Sequence, residues 1–244
     1  MSLAGRGVLV TRPAGMADAL AERIERAGGR ALRFPAIVIE PLGRPAAFDR
    51  LHEFALAVFV SPSAVACALA MTGPWPRGVR AAAVGEGTRR ALERSGFAEV
   101  IAPRQGADSE ALLAAPELAG FAGKRVLIVR GAGGRELLAR ALAERGCQVE
   151  IAECYRRAPP SRDAADLRAE WAQGKVHALT AFSAEALDNL LALFGEARLA
   201  AVPLFVPHER IAEHARRRGL QAIIAGPGDD AMVERLVAYF HERD

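Results

Sequence analysis

The residues best suited to chemistry in this 244-residue chain are short patches that favour an anionic ligand. Arg130-Gly131-Ala132-Gly133-Gly134 closes the apolar run Val126-Leu127-Ile128-Val129. Its three glycines allow a tight turn and a close approach of backbone to ligand, which makes Arg130 and Gly131 candidate contacts. Arg12 follows a similar run, Val8-Leu9-Val10. Ser61, Ser63 and Ser183 stand where helices begin, and a hydroxyl there either caps the helix or joins the free N–H groups in holding a carboxylate or phosphate. Gly85-Glu86-Gly87-Thr88 is another anion-compatible helix start. His208, in Pro207-His208-Glu209-Arg210, is the one histidine expected at such a strand end, although a lone turn histidine is more often simply exposed.

Strand ends and helix starts must position these groups. Residues 123–157 contain a full unit: a buried strand, a glycine-rich turn, an amphipathic helix over 135–145 and a second strand over 147–155. Such a unit is half of a doubly wound α/β domain, in which ligands bind at the carboxyl ends of the strands. The unit also opens the chain, with a helix over 14–27 and a strand over 30–39, and aligning Val8 with Val126 brings Arg12 onto Arg130. Further strands are expected at 56–60, 81–84 and 100–103, and again at 176–180, 204–206 and 222–225. Helices are expected at 64–71, 89–94, 163–173 and 184–194, from Glu209 to Arg218, and from an Asp229-Asp230 cap to His241. Ser183 then falls at the position of Ser63, and the order of four units occurs twice. Pro35, Pro41 and Pro45, and later Pro159 and Pro160, mark two extended connectors, 34–44 and 150–160.

The composition has 51% hydrophobic and 25% charged residues, as in an ordinary globular protein large enough for two domains of roughly 100–150 residues. The start lacks a basic region followed by an apolar run, and no apolar stretch approaches the roughly 18 residues of a membrane span, so the expected location is cytoplasmic. A net charge of +3 favours an anionic partner without naming it. Nucleic acid is not implied, because the arginines are dispersed and no aromatic cluster is suited to stacking. Cys67, Cys147 and Cys154 have neither metal-ligand nor redox spacing and read as small buried apolar residues.

VLVTRP, FVSPSAV, AVGEGTRRAL, GKRVLIVRGAGGRELL and AECYRR, taken in order over essentially the whole chain, resemble the uroporphyrinogen-III synthase family. That resemblance implies two Rossmann-like α/β domains joined by a two-stranded β-ladder. One domain is then discontinuous, residues 1–36 and 159–244, and the other, 37–158, is inserted into it. The implied reaction takes the linear tetrapyrrole hydroxymethylbilane, eliminates its terminal hydroxyl, closes the macrocycle and inverts the last ring. The family uses no cofactor and no metal. A monomer with no membrane or nucleic-acid partner is implied, with at most transient contact with the enzyme that makes the substrate. Tyr155 matches the tyrosine of the family's C-Y-x-R segment and is the candidate to assist departure of the hydroxyl, while packing in the connector is the competing reading. Thr88, Ser61, Ser63 and Ser183 match the family's hydroxyl-bearing helix starts, and Arg12 and Arg130 are candidates to face substrate carboxylates. Where many members carry a second threonine, this chain has His208-Glu209-Arg210, which breaks the symmetry of the two turns.

Two other classes compete. A hinged, non-catalytic receptor for a small anion also has two α/β domains and two crossings, and the match at Tyr155 speaks against it. A nucleotide or NAD enzyme is the poorer reading, because Gly131-Ala132-Gly133-Gly134 is followed by Glu136 where G-x-G-x-x-G needs glycine, and no P-loop motif occurs.

Overall fold

The structure, a computed structural model, describes residues 2–106, 108–160 and 164–243. The chain runs through β1 (Gly7–Val10), α1 (Asp18–Arg26), β2 (Arg30–Arg33), β3 (Val38–Pro41), β4 (Leu56–Phe59), α2 (Pro62–Thr72), β5 (Arg80–Ala83), α3 (Glu86–Arg94), β6 (Val100–Ile101) and α4 (Ser109–Leu113). It continues through β7 (Arg125–Gly131), α5 (Leu137–Glu144), β8 (Gln148–Ala158), α6 (Ala165–Ala172), β9 (Ala178–Thr180), α7 (Ala184–Phe194) and α8 (Glu196–Ala200). The last elements are β10 (Leu204–Val206), α9 (Glu209–Arg217), β11 (Ala222–Ile224) and α10 (Gly228–His241). Two compact units result: Met1–Val38 with Ala158–Asp244, and Ile39–Arg157.

In the first unit the sheet order is β11-β10-β9-β1-β2, with parallel pairing throughout. The amino-terminal strand β1 therefore lies inside a sheet whose β9–β11 come from the far end of the chain. Its uninterrupted apolar run suits that place: Val8, Leu9 and Val10 are fully buried, with Val8 and Val10 packing on Leu20, Ile24, Phe205 and Leu236.

In the second unit the order is β3-β8-β7-β4-β5-β6, and the pairs β7–β8, β4–β7, β4–β5 and β5–β6 are parallel. Alternation in β7 sends Val126 and Ile128 into a core with Leu56, Val58 and Leu142, and Leu127 and Val129 into another with Phe59, Val65 and Leu92. Each such buried side chain stabilises the fold by about 1.5–3 kcal/mol relative to exposure. Without β3, the order β8-β7-β4-β5-β6 repeats β2-β1-β9-β10-β11 of the first unit. Arg12, just beyond β1, thus corresponds to Arg130 near the end of β7.

Several expected boundaries move. The strand expected over 30–39 breaks into β2 and β3, which belong to different sheets, since Phe34-Pro35 interrupts the pairing. The start at Asp163 of the helix expected over 163–173 lies outside the described residues, and its described part is α6. Asp229 and Asp230 do not cap α10; Pro227 holds the cap position, and both acids lie in the first turn, where they meet arginines. Ser183 corresponds to Ser61 rather than Ser63, because each occupies the cap of the helix after its strand, whereas Ser63 is already inside α2.

Candidate active site

At the carboxyl end of β4 the chain turns through Ser61, whose extended backbone (φ −159°, ψ 160°) and Pro62 at the first helical position start α2. Ser61 Oγ accepts the Ala64 N–H at 3.0 Å, satisfying one of the free donors of the helix start. The same oxygen lies 2.9 Å from the Tyr155 hydroxyl. Tyr155 reaches it through a register shift between β7 and β8: Arg130 pairs with Glu153, but Gly131 pairs with Tyr155, leaving Cys154 as the extra residue of a bulge. Cys154 and Tyr155, although consecutive, consequently enter one core, and Tyr155 is only 2% exposed. Gly131 makes this possible. A Cβ there would stand 2.6 Å from Tyr155 Cζ and 3.1 Å from its Oη. The Ala132 N–H donates to the Tyr155 carbonyl at 2.8 Å, fixing the strand end.

Arg130 is 7% exposed, and all three of its nitrogens are engaged within its own unit. Nη1 donates to the Gly134 and Arg135 carbonyls at 3.0 and 3.2 Å, Nη2 to Glu136 at 2.7 Å and Glu153 at 3.1 Å, and Nε to Glu153 at 3.3 Å. The glycine turn therefore wraps a cation that orders it, and a Cβ at Gly134 would lie 2.9 Å from Arg130 Cδ. Thr88 is buried in the first turn of α3. A Cβ at neighbouring Gly87 would come within 3.8 Å of Pro62 Cγ, so the starts of α2 and α3 lie side by side. Ser63 is half-buried at the second position of α2. The second unit thus gathers Ser61, Ser63, Thr88, Arg130, Gly131 and Tyr155 at the carboxyl ends of its strands.

The first unit gathers Arg12, Ser183 and His208 at its own strand ends. The Arg12 guanidinium lies 3.8 Å above the Phe182 ring, and Nη1 is 2.9 Å from Asp229 Oδ1. That oxygen is buried and accepts no well-aligned hydrogen bond among the described residues, so the contact is one of charge alone. Burial lowers the Arg12 pKa from its ordinary value, and the Asp229 charge offsets part of the shift. Ser183 Oγ caps α7 by accepting the Ala186 N–H at 3.1 Å. His208 is exposed at the cap of α9 and makes no capping bond. Buried Ile211, third in α9 as Thr88 is third in α3, occupies the place of the missing second threonine.

Sequence reasoning missed Glu153, Glu136 and Phe182, which hold the two arginines, and placed Asp229 only as a cap. The i, i+6 spacing of Arg130 and Glu136 was the one local signal. Burial pushes the Cys154 thiol up to about 12, with nearby Cys67 adding to the shift, so it stays neutral beside Tyr155. Among the described residues no group of three or more His, Cys, Asp or Glu is arranged to hold a metal ion, and no helix is long and apolar enough to cross a membrane.

A family model described as uroporphyrinogen-III synthase HemD matches residues 18–234. The uroporphyrinogen-III synthase of Salmonella typhimurium is 39% identical over 245 residues, covering 94% of this chain and 99% of that one. The Escherichia coli protein of the same description is 35% identical over 243 residues, covering 94% and 99%. Among solved structures, uroporphyrinogen-III synthetase from Helicobacter pylori aligns with a TM-score of 0.64 at 18% identity, over 98% of this chain and 100% of that one. A mutant uroporphyrinogen III synthase from Thermus thermophilus aligns with a TM-score of 0.55 at 19% identity, over 97% and 99%. At those identities the structural likeness concerns the fold.

Proposed function

The chain belongs to the uroporphyrinogen-III synthase family, and from that premise we propose that it acts as a cyclising lyase, converting hydroxymethylbilane to uroporphyrinogen III with loss of water and inversion of the last pyrrole ring. The proposal adds no cofactor or metal and takes the working form to be a cytoplasmic monomer in transient contact with the enzyme that supplies its substrate.

Loss of hydroxide from a pyrrole-methyl alcohol is driven by the electron-rich ring, so the protein has two tasks. It protonates the leaving oxygen, and it holds the last ring so that its substituted carbon meets the cation before direct closure. Tyr155 is assigned the first. The observation that carries this assignment is the Tyr155 hydroxyl, 2.9 Å from Ser61 Oγ at the start of α2: a donor on β8 opposite Gly131, the last residue of β7, anchored on a helix N-terminus. Its ring stays packed, so the substrate meets it at Oη. For the second task each unit is taken by itself: in one, the starts of α2 and α3, with Ser63 and Thr88, offer N–H and hydroxyl donors suited to acetate and propionate groups; in the other, the start of α7, with Ser183, offers the same donors and Arg12 a partly neutralised charge. Arg130 acts by ordering the glycine turn, Gly131 by admitting the Tyr155 ring, and exposed His208 by contact with a substrate carboxylate.

Tyr155→Phe tests the assignment. General-acid assistance is typically worth about 10²–10⁴-fold, so kcat should fall into that range while type III product remains detectable and KM changes little. An unchanged kcat would return Tyr155 to a packing role.

A further inference from the structure

We infer that Ser61 is a positioning residue for the reaction: it donates its proton to Tyr155 Oη, which leaves the tyrosine's own proton free for the departing hydroxyl. The inference rests on the acid role proposed for Tyr155. Ser61 Oγ has one proton and two lone pairs. One lone pair takes the Ala64 N–H at 3.0 Å, at the positive end of the 11-residue helix α2. Among the described residues the other hydrogen-bond partner of Oγ is Tyr155 Oη, at 2.9 Å. Accepting from the helix start polarises the serine O–H and strengthens it as a donor, so the chain runs Ala64 N–H to Ser61 to Tyr155. The other capping serine, Ser183, has the same bond to its helix, but among the described residues no tyrosine is bonded to it: the chain has 2 tyrosines, and the Tyr239 ring packs against Phe205 and Phe240.

The step balances. The Tyr155 proton passes to the substrate's hydroxyl oxygen, the carbon–oxygen bond breaks with its electron pair leaving on water, and the pyrrole nitrogen lone pair fills the cationic carbon. The phenolate that remains keeps the Ser61 hydrogen bond, and through it the field of the α2 start. After ring closure, the proton lost as the pyrrole regains aromaticity restores the tyrosine.

The test compares Ser61→Ala, Ser61→Thr and Ser61→Asp, and a Ser61→Ala/Tyr155→Phe double variant, in the full-length protein with 13Cζ-labelled tyrosine. Ser61→Ala should lower kcat about tenfold, the worth of one hydrogen bond, with KM little changed. It should move one of two tyrosine 13Cζ resonances, and Ser61→Thr should restore both rate and resonance. Asp caps α2 but only accepts, so Ser61→Asp should fold and still lose activity. It keeps the test open if the alanine variant fails to fold. In the Tyr155→Phe background, Ser61→Ala should cost almost nothing more. Additive losses, an active Ser61→Asp, or an unmoved resonance overturn this inference alone. A Tyr155→Phe variant with full kcat overturns the acid role, and this inference with it.

Discussion

Gly131, Cys154 and Tyr155 lie around one bulge, and each constrains the others. Because the Tyr155 ring lies where a Gly131 side chain would project, Gly131→Ala must displace ring or strand. Overpacking of that kind costs about 1–3 kcal/mol, to be seen as a lowered midpoint in denaturant titration, with kcat falling as the tyrosine leaves Ser61. All three cysteines are free and buried, and Cys154 is raised to about 12 by burial, so a thiol reagent at neutral pH should leave native Cys154 unmodified and label it only in denaturant. Labelling of native Cys154 at the denatured rate would contradict the packing described. At this scale Tyr155 was legible through its family resemblance and Arg130 through its place at the end of an apolar run. Their partners were not. Glu153 faces Arg130 only because β8 pairs with β7 in one register, and Tyr155 faces Gly131 only because that register slips by a residue; periodicity within one segment encodes neither.

Helix starts carry the polar part of the design. Ser61 and Ser183 each satisfy one N–H of their helix, and replacing such a cap by alanine typically costs about 1 kcal/mol, measurable by thermal unfolding. Glu86 in the first turn of α3 accepts from Arg89 and Arg90, and these bonds, Arg89 first, hold its carboxyl down to about 2 from an ordinary 4.5. A depressed carboxylate contributes stability that is fully present above its unfolded value and is lost as pH falls through the folded one. Stability should therefore decline between pH 4.5 and about 2, less steeply in Glu86→Gln and in high salt, because the group is exposed and screened. An acid limb identical in both proteins would remove Glu86 from that account. Most strands and helices could be read from apolar runs and glycine stops, whereas the split of residues 30–41 into strands of two sheets could not, since each half is extended either way.

The whole chain is two units, of which one is continuous and one is not. Residues 39–157 contain a complete sheet with a core on either side, so this segment expressed alone should unfold cooperatively in a circular-dichroism melt. Residues 158–244 alone should not, because they lack β1, which lies between β2 and β9. The recurring units were legible in the sequence as a strand-and-helix order occurring twice, and the proline connectors as extended segments at 34–44 and 150–160, which overlap β3 and β8. The exchange of Ser63 for Ser61 as the partner of Ser183 came only with the helix caps. Which macrocycle the protein makes is measured most directly by incubating the purified protein with hydroxymethylbilane and resolving the oxidised products into type I and type III isomers. The account predicts type III as the main product, formed faster than closure in buffer. Type I alone, appearing at the rate seen without protein, would contradict it.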